Sequence, residues 1–351
     1  MKATVWWFSG TGNSWLIAAR MAVGLEAGGW EAELRPIEDC PKPGRSLAAT
    51  RRPGDSDTIG APPIDPKGFD LICFPVFSFS APAIVDRFIA RLPVAIGRKA
   101  ALVATMGGKG YEGRALVRSA RRLKDNGRAV VLAEALEMPE AYVQFYSATP
   151  EEESARRTEA GLAAADGLVA DILSGRERMR AGRPAGLALT WIASEAFDYL
   201  GRRILGLTWT STKDCNGCGL CARTCPKKTI KMASNRPHWG PKCEDCQRCA
   251  NLCPQGAIRM SIPRLVLLVL PILVPWGRIL EGGLGLQGGD YRLLLWIAGL
   301  GASTALLAIL LRFLDFVPGL RGFLAISLGA SFRRRLAPGF LAELGRMKKK
   351  P

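Results

Sequence analysis

Eight cysteines fall in two runs of identical spacing. The first is Cys215, Cys218, Cys221 and Cys225, followed by Pro226; the second is Cys243, Cys246, Cys249 and Cys253, followed by Pro254. Each iron of a cluster needs a thiolate, and three cysteines at two-residue intervals let one tight loop offer three sulfurs to one face of a cubane. Zinc sites use two well-separated CxxC pairs, with no call for a third cysteine and a proline. A disulfide framework would need an oxidising compartment, and residues 1–8 lack the basic region and long apolar run of a secretory signal. The prolines fix the chain direction as it leaves each site, and β-friendly pairs follow, Thr229-Ile230 and Ala257-Ile258.

The doubled run resembles that of bacterial ferredoxins. The resemblance implies two [4Fe-4S] clusters, with the fourth cysteine of each run reaching the other cluster. One cluster is then assigned to Cys215, Cys218, Cys221 and Cys253, the other to Cys243, Cys246, Cys249 and Cys225. Cys40 and Cys73 receive no role; Cys73 lies in an apolar segment and reads as a small core residue. His238 is the single histidine of the 351 residues, which excludes a catalytic triad, a His-rich metal site and a haem with two His ligands.

The formal charge of +17 suggests nucleic acid at first sight. Its distribution argues otherwise, because from residue 312 onward nine Lys or Arg face only Asp315 and Glu343, in a tail that follows an apolar segment. Basic residues so placed read as a membrane-side tail. No nucleic-acid motif with interleaved aromatics accompanies them.

The N-terminal half carries a second chemistry. Residues 3–8 form a short apolar run, Ser9, Gly10, Thr11, Gly12, Asn13 and Ser14 a small polar loop, and residues 16–25 a helical segment. Strand, small polar loop and helix surround a phosphate with backbone N–H groups and hydroxyls. The loop lacks the Gly-Lys-Ser/Thr ending of a Walker loop, so it offers no lysine of its own. From Trp7 to Ser14 it resembles the phosphate loop of flavodoxins, which implies FMN. Further strands are expected at 31–36, 69–76, 100–105 and 128–138, with helices at 83–91 and 112–126. The resemblance places Pro75, Val76, Phe77 and Ser78 along the flavin ring, with Phe77 or Phe79 as stacking candidates, and makes the loop of Gly107, Gly108, Lys109, Gly110 and Tyr111 the second ring loop. Gly108, Gly110 and Gly113 also spell GxGxxG, a dinucleotide pattern, but it opens the fourth strand–helix unit instead of the first. Lys109 would favour anionic reduced flavin if it faced the ring; otherwise it is a solvated loop tip.

Five strands alternating with helices predict an α/β, flavodoxin-like doubly wound parallel sheet with its ligand at the strand carboxyl ends. Together with residues 138–142 and the Pro237-His238-Trp239 stretch, the domain order resembles the flavodoxin–ferredoxin fusion proteins of anaerobic bacteria and archaea, over residues 1–260. The expected organisation is an FMN domain at 1–148, a helical connector at 149–210, a 2[4Fe-4S] ferredoxin domain at 211–261, membrane segments within 262–318 and a basic amphipathic tail at 319–351. The connector reads as a helix over 150–179 and another over 187–208. Residues 293–311 carry no charge over about the length that crosses a bilayer. Labile clusters belong in the cytoplasm, and the basic tail belongs on the same side. The expectation is therefore a helical membrane hairpin, 262–280 outward and 293–311 returning, with 281–290 as the turn and Arg278 near the outer end. A re-entrant or surface-lying first segment is the alternative.

A flavin beside two cubanes implies a relay between two-electron and one-electron partners. The leading expectation is an electron-transfer protein of the cytoplasmic membrane, its cofactor domains facing the cytoplasm. Its partners would be a soluble low-potential donor or acceptor and a membrane acceptor or partner reductase. The alternative is a flavin-dependent reductase acting directly on a lipid-soluble substrate such as a quinone or isoprenoid. A redox sensor would need an output domain, and no segment is left to form one.

Overall fold

Val, Ile and aromatic residues in short runs, each followed by a helical stretch, give the parallel sheet that such alternation requires. The computed structural model describes residues 1–40, 67–180, 187–285, 291–314, 317–328 and 331–347. Residues 41–66 of the Pro/Gly/Arg-rich loop expected over 40–68, part of the hairpin turn (286–290) and Lys348, Lys349 and Lys350 lie outside the described residues. Two compact units result, one of Met1–Ala141, Ala148–Tyr199 and Arg333–Pro351, the other of Tyr142–Ser147 and Leu200–Phe332.

In the first unit the elements run β1 (Lys2–Trp7), α1 (Asn13–Ala27), β2 (Glu31–Pro36), β3 (Phe69–Pro75), α2 (Ala83–Ile89), β4 (Lys99–Met106), α3 (Ala115–Asp125), β5 (Ala129–Glu137), α4 (Glu151–Leu173), β6 (Arg178–Met179) and α5 (Leu187–Ala196). The sheet order is β2-β1-β3-β4-β5-β6, every pairing parallel, with Val5 beside Leu71 and Leu71 beside Ala101. Its first five strands follow the flavodoxin-like order 2-1-3-4-5. The central β3 and β4 are buried almost throughout, as strands covered on both faces must be, whereas β2 at the edge alternates. Asp70 on β3 accepts from Arg98 Nε at 2.8 Å, Arg98 Nη2 at 2.9 Å and Arg128 Nε at 2.9 Å, a buried ion triad.

One connector expectation needs correction. The helix expected over 150–179 stops at Leu173, because Gly175 turns left-handed (φ 71°) and the chain pairs as a sixth strand. Buried Glu134 holds that strand by accepting from Arg178 and Arg180, both at 2.9 Å. The helix expected over 187–208 runs without a gap to Leu207, as α5, a π-helical stretch Phe197–Gly201, and α6 (Arg202–Leu207). Arg114 and Arg118 bind Glu195, and Arg118 also binds Asp198, which fixes the end of the first piece.

The second unit continues after α6 with β7 (Trp209–Ser211), α7 (Leu220–Thr224), β8 (Ile230–Ala233), β9 (Arg236–Trp239), α8 (Arg248–Leu252), β10 (Ile258–Ser261), α9 (Ile262–Val269), α10 (Trp276–Gly283), α11 (Arg292–Leu314), α12 (Pro318–Leu324) and β11 (Ser327–Leu328). The hairpin β8–β9 turns at Ser234 and Asn235, both at positive φ, as a two-residue turn demands. β10 lies between β7 and β11, antiparallel to both.

α11 carries a 20-residue stretch of mean hydropathy 2.2, of which 11% is buried, so it is long and apolar enough to cross a membrane alone. The segment expected outward over 262–280 bends by 56° between Leu273 and Trp276, where Pro275 interrupts the helix. α10 packs closely on α11: a Cβ on Gly299 would lie 2.6 Å from Trp276 Cβ, and one on Gly277 would strike the Arg292 carbonyl. Arg292 Nε meets Glu281 at 2.8 Å at the turn end of the pair, and at the other end Leu268 and Leu311 share a core with Leu207 and Leu324.

The segment expected as one amphipathic tail is divided. α12 and β11 complete the second unit, whereas Arg333 onward joins the first, where α13 (Phe340–Met347) buries Phe340 and Leu344. Phe340 meets Trp7 at 6.1 Å and Trp15 at 5.8 Å between ring centroids. Phe340 of α13 is thus spent on protein aromatics, while Leu341 stays exposed.

Candidate cofactor sites

Three loops from the carboxyl ends of β1, β3 and β4 meet in the first unit, together with the chain that leaves β5. Gly12 stands at φ 103° before α1, and the opening amides of that helix have no carbonyl behind them within it. Ser9 Oγ accepts from Gly12 N at 2.9 Å, and Ser14 Oγ lies 2.7 Å from Thr105 Oγ1, a pair in which one proton suffices for the bond. Asn13 Nδ2 donates to Pro139 O at 2.7 Å, tying the loop to the exit of β5. Ser9, Thr11 and Ser14 are all buried.

The second and third loops are joined directly. Arg114 N donates to Phe79 O at 2.8 Å, and the Phe79 ring stands edge-on to Tyr111 at 6.0 Å. Val76 N donates to Thr105 O at 2.8 Å, placing Pro75, Val76, Phe77 and Ser78 beside β4. Ser78 and Phe79 both adopt positive φ, 45° and 65°, a conformation costly for non-glycine residues and characteristic of ligand-facing turns. Of the two stacking candidates, Phe77 turns to Phe8 at 6.5 Å and Phe79 to Tyr111. Gly113, the last glycine of the GxGxxG pattern, lets the chain reach Phe79: a Cβ there would lie 2.6 Å from Phe79 O. Gly107 has a similar reason, since a Cβ would strike Glu140, while Arg157 Nη1 donates to its carbonyl at 2.6 Å. Lys109 and Tyr111 are exposed. Ser80 Oγ and Glu112 Oε2, just beyond these two loops, are buried without a hydrogen-bond partner among the described residues. Orphaned polar atoms, a glycine cradle and unspent helix amides are what a phosphate-bearing planar ligand would use. The residues fit FMN.

The second unit gathers the cysteines. The two runs fold alike: Gly219 and Gln247 open α7 and α8 in left-handed conformations, and Cys225 and Cys253 close them in extended ones, as residues before proline prefer. Burial pushes the Cys221 thiol up to about 11, and the neighbours that raise it further are Cys253, Cys215 and Cys218. Cys249 is likewise raised, first by burial, then by Cys246, with Cys225 and Cys221 also in reach; Cys243 is raised by burial and by Asp245, Cys249 and Cys246. Cys253, the fourth cysteine of the second run, thus neighbours Cys221 of the first, Cys225 neighbours Cys249 of the second, and Cys221 is near both groups. Ala257 N donates to Cys253 Sγ at 3.3 Å and Asp245 N to Cys243 Sγ at 3.4 Å, the kind of amide–sulfur contact that tunes a cluster. Among the described residues no group of three or more His, Cys, Asp or Glu is close enough to hold a single metal ion. A cubane spreads its four thiolates over separate irons, so its ligands stand farther apart than those of one ion. The donor set and its crossed grouping fit two cubanes, whose positive irons would turn these buried thiols into thiolates.

Residues 142–147 belong to this unit although they follow β5. Gln144 Nε2 donates to Thr208 Oγ1 at 2.8 Å, and Val143 N donates to Gln247 Oε1 at 3.3 Å, next to the second cysteine run. Asp245, between Cys243 and Cys246, accepts from Trp209 Nε1 at 2.9 Å and is pushed up to about 8 by burial, against the pull of its hydrogen bonds. Sequence reading missed these supports, because no motif marks Gln144 or Trp209.

No family model matches the chain, and no curated protein matches it. Among solved structures, a two-electron reduced flavodoxin of Megasphaera elsdenii is 22% identical over 47% of this chain and 98% of its own, with a TM-score of 0.29. A flavodoxin of Pseudomonas aeruginosa is 14% identical over 50% of this chain and 97% of its own, TM-score 0.33. An NAD(P)H:quinone oxidoreductase of Methanothermobacter marburgensis is 16% identical over 49% of this chain and 98% of its own, TM-score 0.34.

Proposed function

We propose that this chain is a membrane-bound electron-transfer protein of the cytoplasm-facing side, holding FMN in its first unit and two [4Fe-4S] clusters in its second. It would connect a soluble low-potential donor or acceptor to a membrane acceptor or a partner reductase. The observation that supports the reading is the crossed proximity of the two cysteine runs, Cys253 beside Cys221 and Cys225 beside Cys249, in a chain that also bears the converging loops of a flavodoxin-like sheet. FMN supplies two-electron exchange divisible into single steps, and the clusters supply one-electron exchange.

The residues have distinct tasks. The amides of residues 10–14 and the hydroxyls of Ser9 and Thr11 would bind the phosphate, and Pro75 to Ser78 with Gly107, Gly108 and Tyr111 would hold the ring. The eight cysteines would bind iron, while Trp209, Gln144 and the backbone amides of Asp245 and Ala257 keep their loops in place. The hairpin of α10 on α11 would return to the face it left, which keeps both cofactor units and the basic C-terminal residues on one side.

The phosphate site is tested by Ser9→Ala with Thr11→Ala in the full-length chain. Two lost hydrogen bonds to an anion are expected to weaken FMN binding by at least about tenfold. Iron content should stay unchanged. Flavin content equal to that of the unaltered chain would move the phosphate elsewhere.

A further inference from the structure

The phosphate loop contains no cation, and a dianionic phosphate held by amides and hydroxyls alone lacks a charge partner. The C-terminal segment brings one. Arg335 Nη1 donates to Asn13 Oδ1 at 2.8 Å, and Arg335 Nη2 donates to Thr158 Oγ1 at 2.9 Å. Two residues on, Ala337 N donates to Thr11 O at 2.8 Å, in the middle of the loop. The backbone contact is close enough that a Cβ on Gly12 would lie 2.7 Å from Ala337 Cβ and 2.8 Å from Phe340 Cβ. Phe340 is fully buried against Trp7 and Trp15, and Ala148 N donates to Arg333 O at 3.0 Å, so the segment is pinned at both ends. All these residues belong to one compact unit.

We infer that the segment 333–347 is a built part of the phosphate site, with Arg335 as the positioning residue that holds Asn13 and supplies the positive charge the loop lacks. This rests on the reading of the loop as an FMN site. The ligand class it selects is a flavin that carries a phosphate, over one that does not. Arginine suits the task because its planar fork can engage Asn13 and Thr158 together while staying charged when half-buried. Burial lowers the Arg335 pKa, yet from a starting value so high that the side chain stays cationic. A tail spent in this way also explains why Phe340 of α13 faces Trp7 and Trp15.

The test is binding of FMN and of riboflavin to the full-length chain in detergent, followed by flavin fluorescence quenching, for the unaltered protein, Arg335→Gln and Arg335→Lys. The expected result is about tenfold weaker FMN binding in Arg335→Gln with riboflavin binding changed less than about twofold, and partial recovery of FMN binding in Arg335→Lys. Equal loss of both flavins would show a merely structural strap and overturn the inference, as would unchanged FMN affinity in Arg335→Gln. If the unaltered chain binds neither flavin, the FMN reading itself falls, and that outcome is separate from the first two.

Discussion

Combining Cys221→Ala with Cys253→Ala is expected to leave about four irons per chain, whereas combining Cys243→Ala with Cys253→Ala is expected to leave almost none. The difference follows from the crossed grouping. Cys253 is the last cysteine of the second run, yet it neighbours Cys221 of the first, which Cys215 and Cys218 also neighbour. Losing Cys221 and Cys253 together removes two ligands from one cubane and spares the other, while Cys243 and Cys253 would serve different cubanes. An uncrossed arrangement predicts the reverse result for the two pairs. The readout is iron and acid-labile sulfide per chain after anaerobic purification, so it needs no knowledge of the redox partner.

Asp70→Ala is expected to cost the first unit about 3–5 kcal/mol of stability, because it leaves two buried guanidinium groups, Arg98 and Arg128, without their shared carboxylate. The three side chains are between 1% and 8% exposed, so water cannot take the place of the lost partner. Asp70→Asn keeps one acceptor oxygen without the charge and should fall between the two. Denaturant unfolding followed by the fluorescence of Trp6 and Trp7 would measure the loss. A change below about 1 kcal/mol would mean that Arg98 and Arg128 find other acceptors, such as the Phe69 and Pro93 carbonyls they already approach.

Much of this architecture is legible in the chain because local chemistry determines it. Strands such as Phe69–Pro75 are apolar runs interrupted only by Asp70, as a sheet buried on both faces selects. The cysteine runs are legible because three ligands from one loop require their spacing. The two ring loops could be placed because each follows a buried strand, and glycine at 107 and 113 marks where the backbone must come close to Glu140 and Phe79. The fate of the C-terminal segment was hidden. An alternation of apolar and basic residues states that a helix has an apolar face, and it does not state whether lipid or Trp7 and Trp15 will cover it. Arg335 and Asn13 are separated by 322 positions, and no motif links them. The sixth strand is two residues long and exists because Glu134 captures Arg178 and Arg180, which is a tertiary event. The bend near Pro275 was signalled by the proline, although its angle depends on how Gly277 and Gly299 let α10 approach α11.

The most direct measurement of the central claim is the cofactor content of the full-length chain, purified anaerobically in detergent, with flavin, iron and sulfide quantified per polypeptide. The account predicts about one FMN together with about eight irons and eight sulfides. About eight irons without flavin would contradict it, leaving a membrane-tethered carrier of clusters whose N-terminal sheet binds a different ligand.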